Sequence, residues 1–523
     1  MKLLPILFLF IASGIVAQYN AVSEQYAKVI EAKSMKEHVF TLASKEFQGR
    51  ETGTEGNKKA ADYIAGQFAS FGVPPIPGDG DYFQEVAFST VKWSKINLVV
   101  SGDSIEHLKE YLSIPQYFPT QPGPIEINSL TFLGYGIDDP AYSDYAGVDV
   151  KGKHLLVYGG EPQNAKGIYR ITGTDTASVW SKDLLMKLAA AKKAGAASIW
   201  IVEEKFREYA MYSRRTFMSG AMIMGSPEQL TTYLPHAIIS STLGEKLAGA
   251  KVKKVINLRN KINKSGKPGH TTIPVSMQWT AEKEIKSIPG ANVLGYIKGS
   301  DPLISDQLVI ISAHYDHLGI RGESIYYGAD DNASGTSAVL EIARAFAKAK
   351  ADGHGPRRSV LCILMTGEEK GLLGSRYYTE YPVFPLANTV ADINIDMIGR
   401  VDTLHANPNY TYVIGSDRLS TELHAINESA NQLYTHLNLD YTYNRDDDPN
   451  RFYYRSDHYN FAKNGIPAIF YFSGVHEDYH RPTDTPDKIM FDKAETIARL
   501  AFHTAWELAN RDERIKVDVT GRN

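Results

Sequence analysis

Histidine and acidic residues recur at the ends of apolar segments in the second half of the sequence. His314 and Asp316 follow LVIISA, Glu368 and Glu369 follow VLCILMTG, and Asp396 follows ADINI. A carboxylate inside an apolar stretch such as INIDMIG is costly to bury unless it has a partner. Imidazole nitrogen and carboxylate oxygen are the donors that zinc takes in proteins, so this pattern predicts a metal site.

Two further stretches add the same residue types. GADDNASG contributes Asp330 and Asp331, and GVHEDYH contributes His476 and His480. Taken alone, each stretch has a simpler structural explanation, because Asp and Asn favour turns and helix N-caps. Their joint occurrence with the other strand-end residues favours a metal site over separate structural roles.

The elements that must position these residues are apolar strands and the helices between them. The strands are predicted in QLVIISAHYD, RSVLCILMTGEE, ADINIDMIG and GIPAIFYFSG, with an amphipathic helix over roughly 334–349. Strands that are apolar throughout and alternate with helices are typical of a parallel sheet covered on both faces. We therefore predict an α/β fold around a mixed sheet with a mostly parallel centre. The carboxyl ends of its strands would bring the candidate ligands to one edge.

The middle of the sequence has a different composition. GKHLLVYGG, KLAAAKKAGAASIWIV and PHAIISSTLGEKL predict strand, helix, strand and helix, with few clustered histidine or acidic residues. We expect a smaller α/β domain over 121–264, inserted between two parts of a larger domain, 18–120 and 265–523.

These motifs resemble the M28 family of zinc aminopeptidases and carboxypeptidases, which hold two zinc ions in one site. The resemblance covers roughly 40–120 and 270–510 and rests on AHYDH, GADDNASG, GEEKGLLGS, NIDMIG, RSDHYNF and YHRPTDTPD. The inserted segment is similar to the protease-associated (PA) domain that many members carry, through GKHLLV and KKAGAASIWIV.

The resemblance implies a ligand set for two Zn²⁺ ions. His314 and Asp396 would bind one ion, Glu369 and His480 would bind the other, and Asp331 would bridge them. These five residues are the predicted metal ligands.

The same resemblance implies three catalytic or supporting residues. Glu368 would be the general base, and Asp316 would orient the imidazole of His314, as metal-bound histidine usually requires. Tyr453 stands where some members place a tyrosine near the scissile carbonyl oxygen, although the adjacent Tyr454 could take that place.

The sequence HEDYH (476–480) also matches the HExxH pattern of zinc proteases that bind the metal from one helix. That pattern needs both histidines on a continuous helix, but Pro482 follows at once and proline interrupts helices. We therefore predict that only His480 is a ligand and that His476 and Glu477 are loop or pocket residues.

The resemblance of the YHRPTDTPD and RSDHYNF segments favours a secreted zinc-dependent exopeptidase that removes N-terminal residues from peptide substrates. A carboxypeptidase or dipeptidase of the glutamate-carboxypeptidase type is the main alternative, since Arg400, Arg445, Arg451 and Arg455 could bind an α-carboxylate. A glutaminyl cyclase fits less well because the chain is long and has an inserted domain. A non-catalytic binding relative also fits less well, because every ligand position is filled.

The composition is that of a globular protein. The chain has 523 residues, 43% hydrophobic and 22% charged, and a net charge of −4, so nucleic-acid binding is not expected. Residues 1–17 predict a signal peptide and export to the periplasm or outside the cell, and no segment is long enough to span a membrane. The single cysteine, Cys362, lies in VLCILM and is expected to be a small core residue. The oligomeric state is left open.

Overall fold

The chain divides into two compact units, one running to Val86 and resuming at Pro289, the other spanning Ala87–Ile288. No helix among the described residues is long and apolar enough to cross a membrane. The predicted signal peptide lies outside the described residues. The computed structural model describes residues 19–78, 80–121, 123–211, 221–227 and 232–520.

An eight-stranded mixed sheet forms the centre of the larger unit in the described part of the chain. Its four central strands run parallel to one another, and an antiparallel pairing follows on each side. The predicted mixed sheet with a parallel centre is therefore confirmed. In order across the sheet, the strands are Phe83–Glu85, Ala291–Ile297, Ser359–Met365, Leu308–His314, Thr389–Ile395, Ala468–Phe472, Tyr410–Ile414 and Asn438–Asp440.

Both faces of this sheet are buried, because alternate residues of a strand enter different apolar clusters. Val309 and Ile311 lie in one cluster, while Leu308 and Ile310 lie in another on the opposite face. Cys362 is fully buried in the first cluster, and burial raises the pKa of its thiol. It is a core residue, as its apolar context predicts.

Helices cover both faces of the sheet. On the first face lie Ala21–Ala27, Ala32–Leu42, Glu55–Ser70, Gly335–Ala351, Thr421–Ala430 and Phe491–Asn510. On the second face lie Leu373–Glu380 and His458–Ala462. The helix Gly335–Ala351 is buried around almost its whole circumference and accordingly is apolar on most sides. Its one buried acid, Glu341, pairs with Arg344 and His38.

Within its described residues, the smaller unit is built on a nine-stranded sheet. Across the sheet the strands are Ala221–Met224, Phe88–Val100, His270–Ile288, Ile125–Leu133, His154–Tyr158, Ser198–Glu203, His236–Ser240 and Tyr111–Leu112, and Asp103–Ile105 pairs with the second of them. Its helices include Val179–Lys182, Leu184–Lys193, Ser241–Ala248 and Val252–Ser265. Short two-stranded hairpins complete the chain, at Asp138–Asp139 with Tyr142–Ser143 and, in the larger unit, at Gly319–Arg321 with Ser324–Tyr326.

The smaller unit spans a longer stretch of sequence, Ala87–Ile288, than the segment 121–264 expected from composition. Phe88–Val100 pairs antiparallel with His270–Ile288 over almost its whole length, so both strands belong to the sheet of this unit. Composition does not show this, because both strands carry alternating polar and apolar residues like those of any half-exposed sheet.

Arg50 connects three segments of the larger unit, namely the end of the helix Ala32–Leu42, the residue that follows the strand Leu308–His314, and the loop at Tyr327 and Gly328. Its guanidinium is fully buried and donates only to backbone carbonyl oxygens. Nε donates to Tyr315 O at 2.8 Å, Nη1 to Leu42 O at 2.6 Å and Tyr327 O at 2.9 Å, and Nη2 to Gly328 O at 2.8 Å. Burial lowers the pKa of Arg50 to about 10 against the opposing effect of nearby carboxylates, so it remains a cation at neutral pH.

Replacing Arg50 with methionine should destabilise the larger unit strongly. Each buried carbonyl that loses its donor costs about 1–3 kcal/mol, so we expect a loss of at least about 3 kcal/mol in the free energy of unfolding. Urea unfolding of metal-free protein measures the change. The matched control is Arg376→Met, because Arg376 makes an exposed pair with Glu380 that should contribute less than about 1 kcal/mol. Equal effects of the two substitutions would contradict this role.

Candidate metal centre

The candidate ligands converge at the carboxyl ends of the central strands. His314 is the last residue of its strand, and Asp396 directly follows the neighbouring strand Thr389–Ile395. Glu369 lies in a single 3-10 turn, Glu368–Lys370, three residues beyond the strand on the other side. The parallel register of these strands places all three at one edge of the sheet, as expected.

The first group of ligand atoms is formed by His314, Asp331 and Asp396, which are all buried. His314 Nε2 lies 3.4 Å from Asp331 Oδ1 and 3.3 Å from Asp396 Oδ1. The other ring nitrogen, Nδ1, is 3.1 Å from the backbone oxygen of Asp316. With the proton on Nδ1 donated to that carbonyl, Nε2 faces the two carboxylates as a free donor for a metal ion.

The second group is formed by Asp331, Glu369 and two imidazoles. His480 Nε2 lies 3.1 Å from Asp331 Oδ2 and 3.2 Å from Glu369 Oε1. His317 Nδ1 lies 2.9 Å from Glu369 Oε1 and 3.7 Å from Asp331 Oδ2. Asp331 therefore belongs to both groups, with one carboxylate oxygen directed to each. All five predicted ligands are brought together, and His317 is a residue that the sequence analysis did not name.

The resemblance predicted that the side chain of Asp316 would orient the imidazole of His314, but in the structure the backbone oxygen of Asp316 does so. Its carboxylate is 3.8 Å from His314 Nδ1, and the imidazole is held by the backbone oxygen of Asp316 instead. The carboxylate accepts hydrogen bonds from Thr52 Oγ1 at 2.8 Å and from the backbone N–H of Glu368 at 3.1 Å. It also accepts the N–H of Glu369 at 3.4 Å. The side chain thus fixes the turn that carries the two glutamates.

The charged groups of the site shift one another's pKa values. Burial alone would lower the pKa of His480, but the carboxylates of Asp331 and Glu369 beside its ring outweigh it and raise the pKa to about 10. Burial raises the pKa of Glu368 well above its usual value, and the neighbouring carboxylates of Glu369 and Asp396 add to the increase while His314 opposes it. The surrounding carboxylates stabilise positive charge at the centre of the cluster.

The residues fit zinc as a bound metal. Nitrogen and oxygen donors converge in two groups that share one carboxylate, which is a donor set typical of zinc. Several of these atoms are buried and make no hydrogen bond within the described residues, namely both ring nitrogens of His317 and Oε1 of Glu369. Buried polar atoms without a partner are rare in native proteins, and a metal ion would satisfy them.

A pocket with apolar walls opens beside the cluster. Its polar part is the ligand cluster itself together with the Glu368 carboxyl group, and its other walls are mostly aromatic. It is lined by His314, Asp331, Glu368, Asp396, Met397, Phe452, Arg455, Phe470, Phe472, Val475, Tyr479 and His480.

Tyr453 does not line this pocket. Its ring is buried in the apolar cluster beside the pocket, with the guanidinium carbon of Arg418 4.2 Å from the ring centroid. The tyrosine on the pocket wall is Tyr479, whose ring stacks on His480 with centroids 3.9 Å apart. Its hydroxyl lies 3.5 Å from Arg455 Nη2. Tyr479 directly precedes the candidate ligand His480, which is the signal that could have identified it.

The HEDYH stretch is not a helix. Residues 477–480 form turns, and His480 has a φ of 56°, which ends any helical path there. His476 Nε2 lies 3.3 Å from Asp330 Oδ2, outside both ligand groups, and Glu477 is exposed. His480 is thus the one histidine of HEDYH that belongs to a ligand group, as the proline-rich context predicts.

Only one of the four arginines considered for binding an α-carboxylate lines the pocket. Arg455 is exposed at its rim. Arg400 pairs with Asp478 at 2.9 Å, Arg445 pairs with Asp447 at 2.8 Å, and the guanidinium of Arg451 lies over the ring of Tyr454.

Comparison with known proteins agrees with this arrangement. Residues 292–505 match the family model described as Peptidase family M28. The chain is 33% identical over 151 residues to a probable glutamate carboxypeptidase of Arabidopsis thaliana, which covers 29% of this chain and 20% of that protein. It is 28% identical over 257 residues to a probable leucine aminopeptidase of Arthroderma benhamiae, which covers 45% of this chain and 66% of that protein. The chain spans less than two thirds of the length of these curated relatives.

The fold is also found in a solved structure. The chain superimposes on an aminopeptidase from Aneurinibacillus sp. strain AM-1 with a TM-score of 0.53 and 21% sequence identity, over 95% of this chain and 98% of that chain. This similarity establishes the fold, and the family match covers the segment that carries all the residues of both ligand groups. The larger unit of this protein therefore contains a segment, 292–505, that matches a peptidase domain of family M28, as its motifs indicated.

Proposed function

We propose that this protein is a zinc-dependent exopeptidase that hydrolyses N-terminal residues from peptides with a pair of zinc ions. The observation that supports it most directly is the sharing of Asp331 between two ligand groups beside a pocket with apolar walls. His314 and Asp396 would bind one ion, and Glu369 and His480 would bind the other. When bound, such a pair activates water and polarises the scissile carbonyl group.

Glu368 is the residue best placed to move the proton. Its carboxyl group lines the pocket, and its Oε2 lies 4.0 Å from His314 Nε2 without belonging to either ligand group. Its backbone is fixed by the bond from its N–H to Asp316. Glu368 would accept the proton of the attacking water at a carboxylate oxygen and deliver it to the leaving amine.

The pocket supports recognition of a free amino terminus with an apolar side chain. The carboxylates of Asp331, Asp396 and Glu368 face the pocket and attract an amino group, while Met397 and Phe470 belong to walls that suit an apolar side chain. An internal peptide bond has no amino group to place among these carboxylates, so cleavage at the chain end follows.

One observation favours a second candidate function. Arg455 at the pocket rim is a cation that could bind the α-carboxylate of a substrate, as a carboxypeptidase requires. The similarity to a probable glutamate carboxypeptidase gives the same alternative. The remaining arginines do not add to it, because they are engaged elsewhere.

A panel of peptides with free and acetylated N-termini distinguishes the two functions. With zinc-loaded protein we expect cleavage only of free N-termini, and at least about tenfold higher kcat/KM for Leu or Phe than for Asp, since the pocket walls are apolar. Chelation should abolish the activity and added zinc should restore it. Release of C-terminal residues from acetylated peptides would replace the aminopeptidase assignment with the carboxypeptidase.

Glu368→Gln should lower kcat by about 10²–10⁴-fold, because it removes the proton acceptor while leaving both ligand groups intact. Zinc content measured on the same sample should stay that of the unmodified protein. The matched control is Glu477→Gln, which changes the glutamate of HEDYH and should leave kcat within about twofold, since Glu477 is exposed and not among the pocket-lining residues. The reverse result would support the one-helix zinc site instead.

We further propose that the protein is exported, on the basis of the signal-peptide pattern in residues 1–17. Protein recovered from the exported fraction of expressing cells should begin at Gln18 when its N-terminus is sequenced. Replacing Leu7 and Leu9 with arginine interrupts the apolar run and should retain the protein inside the cell. Full-length protein that begins at Met1 and stays in the cytosol would contradict export.

A further inference from the structure

The imidazole of His317 is buried without a hydrogen-bond partner. The residue is 0% exposed, and neither ring nitrogen makes a hydrogen bond to the described residues. Nδ1 nevertheless lies 2.9 Å from Glu369 Oε1 and 3.7 Å from Asp331 Oδ2. An unsatisfied imidazole in the interior is costly, so its position beside two metal-ligating carboxylates requires an explanation.

The atoms around this nitrogen form a set of four donors. Glu369 Oε1 also makes no hydrogen bond, and it lies 3.2 Å from His480 Nε2. His480 Nε2 is in turn 3.1 Å from Asp331 Oδ2, the same oxygen that lies near His317. The two imidazole rings meet edge to face, with centroids 5.8 Å apart. Two nitrogens and two oxygens thus surround one position.

The backbone at Gly328 leaves room for the His317 ring. A Cβ atom at Gly328 would lie 2.5 Å from two atoms of the His317 ring, so glycine is required at the start of GADDN for the ring to fit. The backbone N–H of His317 donates to Arg50 O at 3.3 Å. The ring is therefore held in place by its neighbours before any metal binds.

We propose that His317 is a further zinc ligand, through Nδ1, at the position formed by Asp331, Glu369 and His480. The inference rests on the proposed function, and it departs from the ligand set implied by the family resemblance, which gives that position only one imidazole. His317 forms one group of donor atoms with Asp331 and Glu369, and His480 would bring the protein donors at this position to four. The position formed by His314, Asp331 and Asp396 would have three. Closed four-donor zinc sites are typical of structural roles, and three-donor sites keep an open place for water or substrate.

This difference between the two positions has a chemical consequence. A second imidazole favours zinc over magnesium and manganese, which prefer oxygen donors. The four-donor position should therefore hold its ion more tightly and with greater selectivity. The three-donor position should lose its ion first on dialysis against a chelator.

Zinc X-ray absorption on a variant that retains only the proposed position tests the inference directly. His314→Gln removes the imidazole of the three-donor position, and the full chain is then loaded with one equivalent of zinc. We expect two imidazoles per zinc ion in this variant and one in the double variant His314→Gln, His317→Gln. One imidazole in both would overturn the proposal, because His317 would then only hydrogen-bond to Glu369 from outside the coordination shell.

Zinc affinities of His317 variants give an independent measurement. His317→Gln should weaken binding at the tighter position by at least about 100-fold, above the usual range for residues outside the coordination shell. His317→Asn should weaken it less, because asparagine can place its side-chain oxygen near the position of Nδ1. Equal losses for the two variants, or none, would overturn the proposal. His424→Gln is the control, because His424 bonds to Ser416 and belongs to neither ligand group, and circular dichroism verifies that each variant folds.

The outcomes separate this inference from the proposed function. Peptide cleavage by the unmodified zinc-loaded protein, together with a single imidazole in the His314→Gln variant, overturns the role of His317 and leaves the exopeptidase intact. Two imidazoles in that variant, without any peptide cleavage by the unmodified zinc-loaded protein, support the ligand role and overturn the exopeptidase. A chain that binds no zinc overturns both.

Discussion

The shared carboxylate of Asp331 is the constraint on which the rest of the site depends. Its two oxygens face different imidazoles, with Oδ1 3.4 Å from His314 and Oδ2 3.1 Å from His480. A displacement of this side chain would therefore disturb both ligand groups together. Its position depends on hydrogen bonds made by the backbone and the Asn332 side chain of the GADDN loop.

Those hydrogen bonds connect the GADDN loop to two other segments. The carboxylate of Asp484 accepts the backbone N–H groups of Asp330 and Asp331 at 3.0–3.2 Å. The Asn332 side chain donates to Ile395 O at 3.0 Å and accepts the N–H of Met397 at 3.2 Å. The loop is thus fixed to the residues on either side of Asp396 and to the segment that follows His480. A ligand cluster assembled from separate loops gains its geometry from such outer contacts.

The sequence predicted the architecture and most of the candidate ligands that the fold brings together, because strand ends are predictable. Apolar runs show where the central strands lie, and a parallel sheet places their carboxyl ends at one edge, so the residues that follow must meet there. His317 was missed for the opposite reason. It lies three residues beyond the strand end, where strand alternation no longer gives the direction of a side chain. Tyr453 shows the same limit, since a spacing in sequence cannot tell whether a ring faces the pocket or the core.

The boundaries of the smaller unit could not be predicted from the sequence, because they depend on strand pairing between residues far apart in the chain. Phe88–Val100 finds its partner in His270–Ile288, and no local pattern in either strand identifies the other. Composition marked the central part of this unit and left out the strands that flank it.

The division of the larger unit into two stretches of sequence has a consequence for its synthesis. The helices Ala32–Leu42 and Glu55–Ser70 bury apolar faces in a core whose other members mostly follow residue 289. The ribosome makes these helices first and then all of residues 87–288, before the central strands of the larger unit's sheet are made. During that interval the nascent chain exposes side chains such as Met35 and Phe68, because most members of their apolar cluster have not yet been made. Contacts between residues this distant in sequence slow folding and leave apolar surface exposed to aggregation. We therefore expect chaperones to bind the N-terminal helices during synthesis.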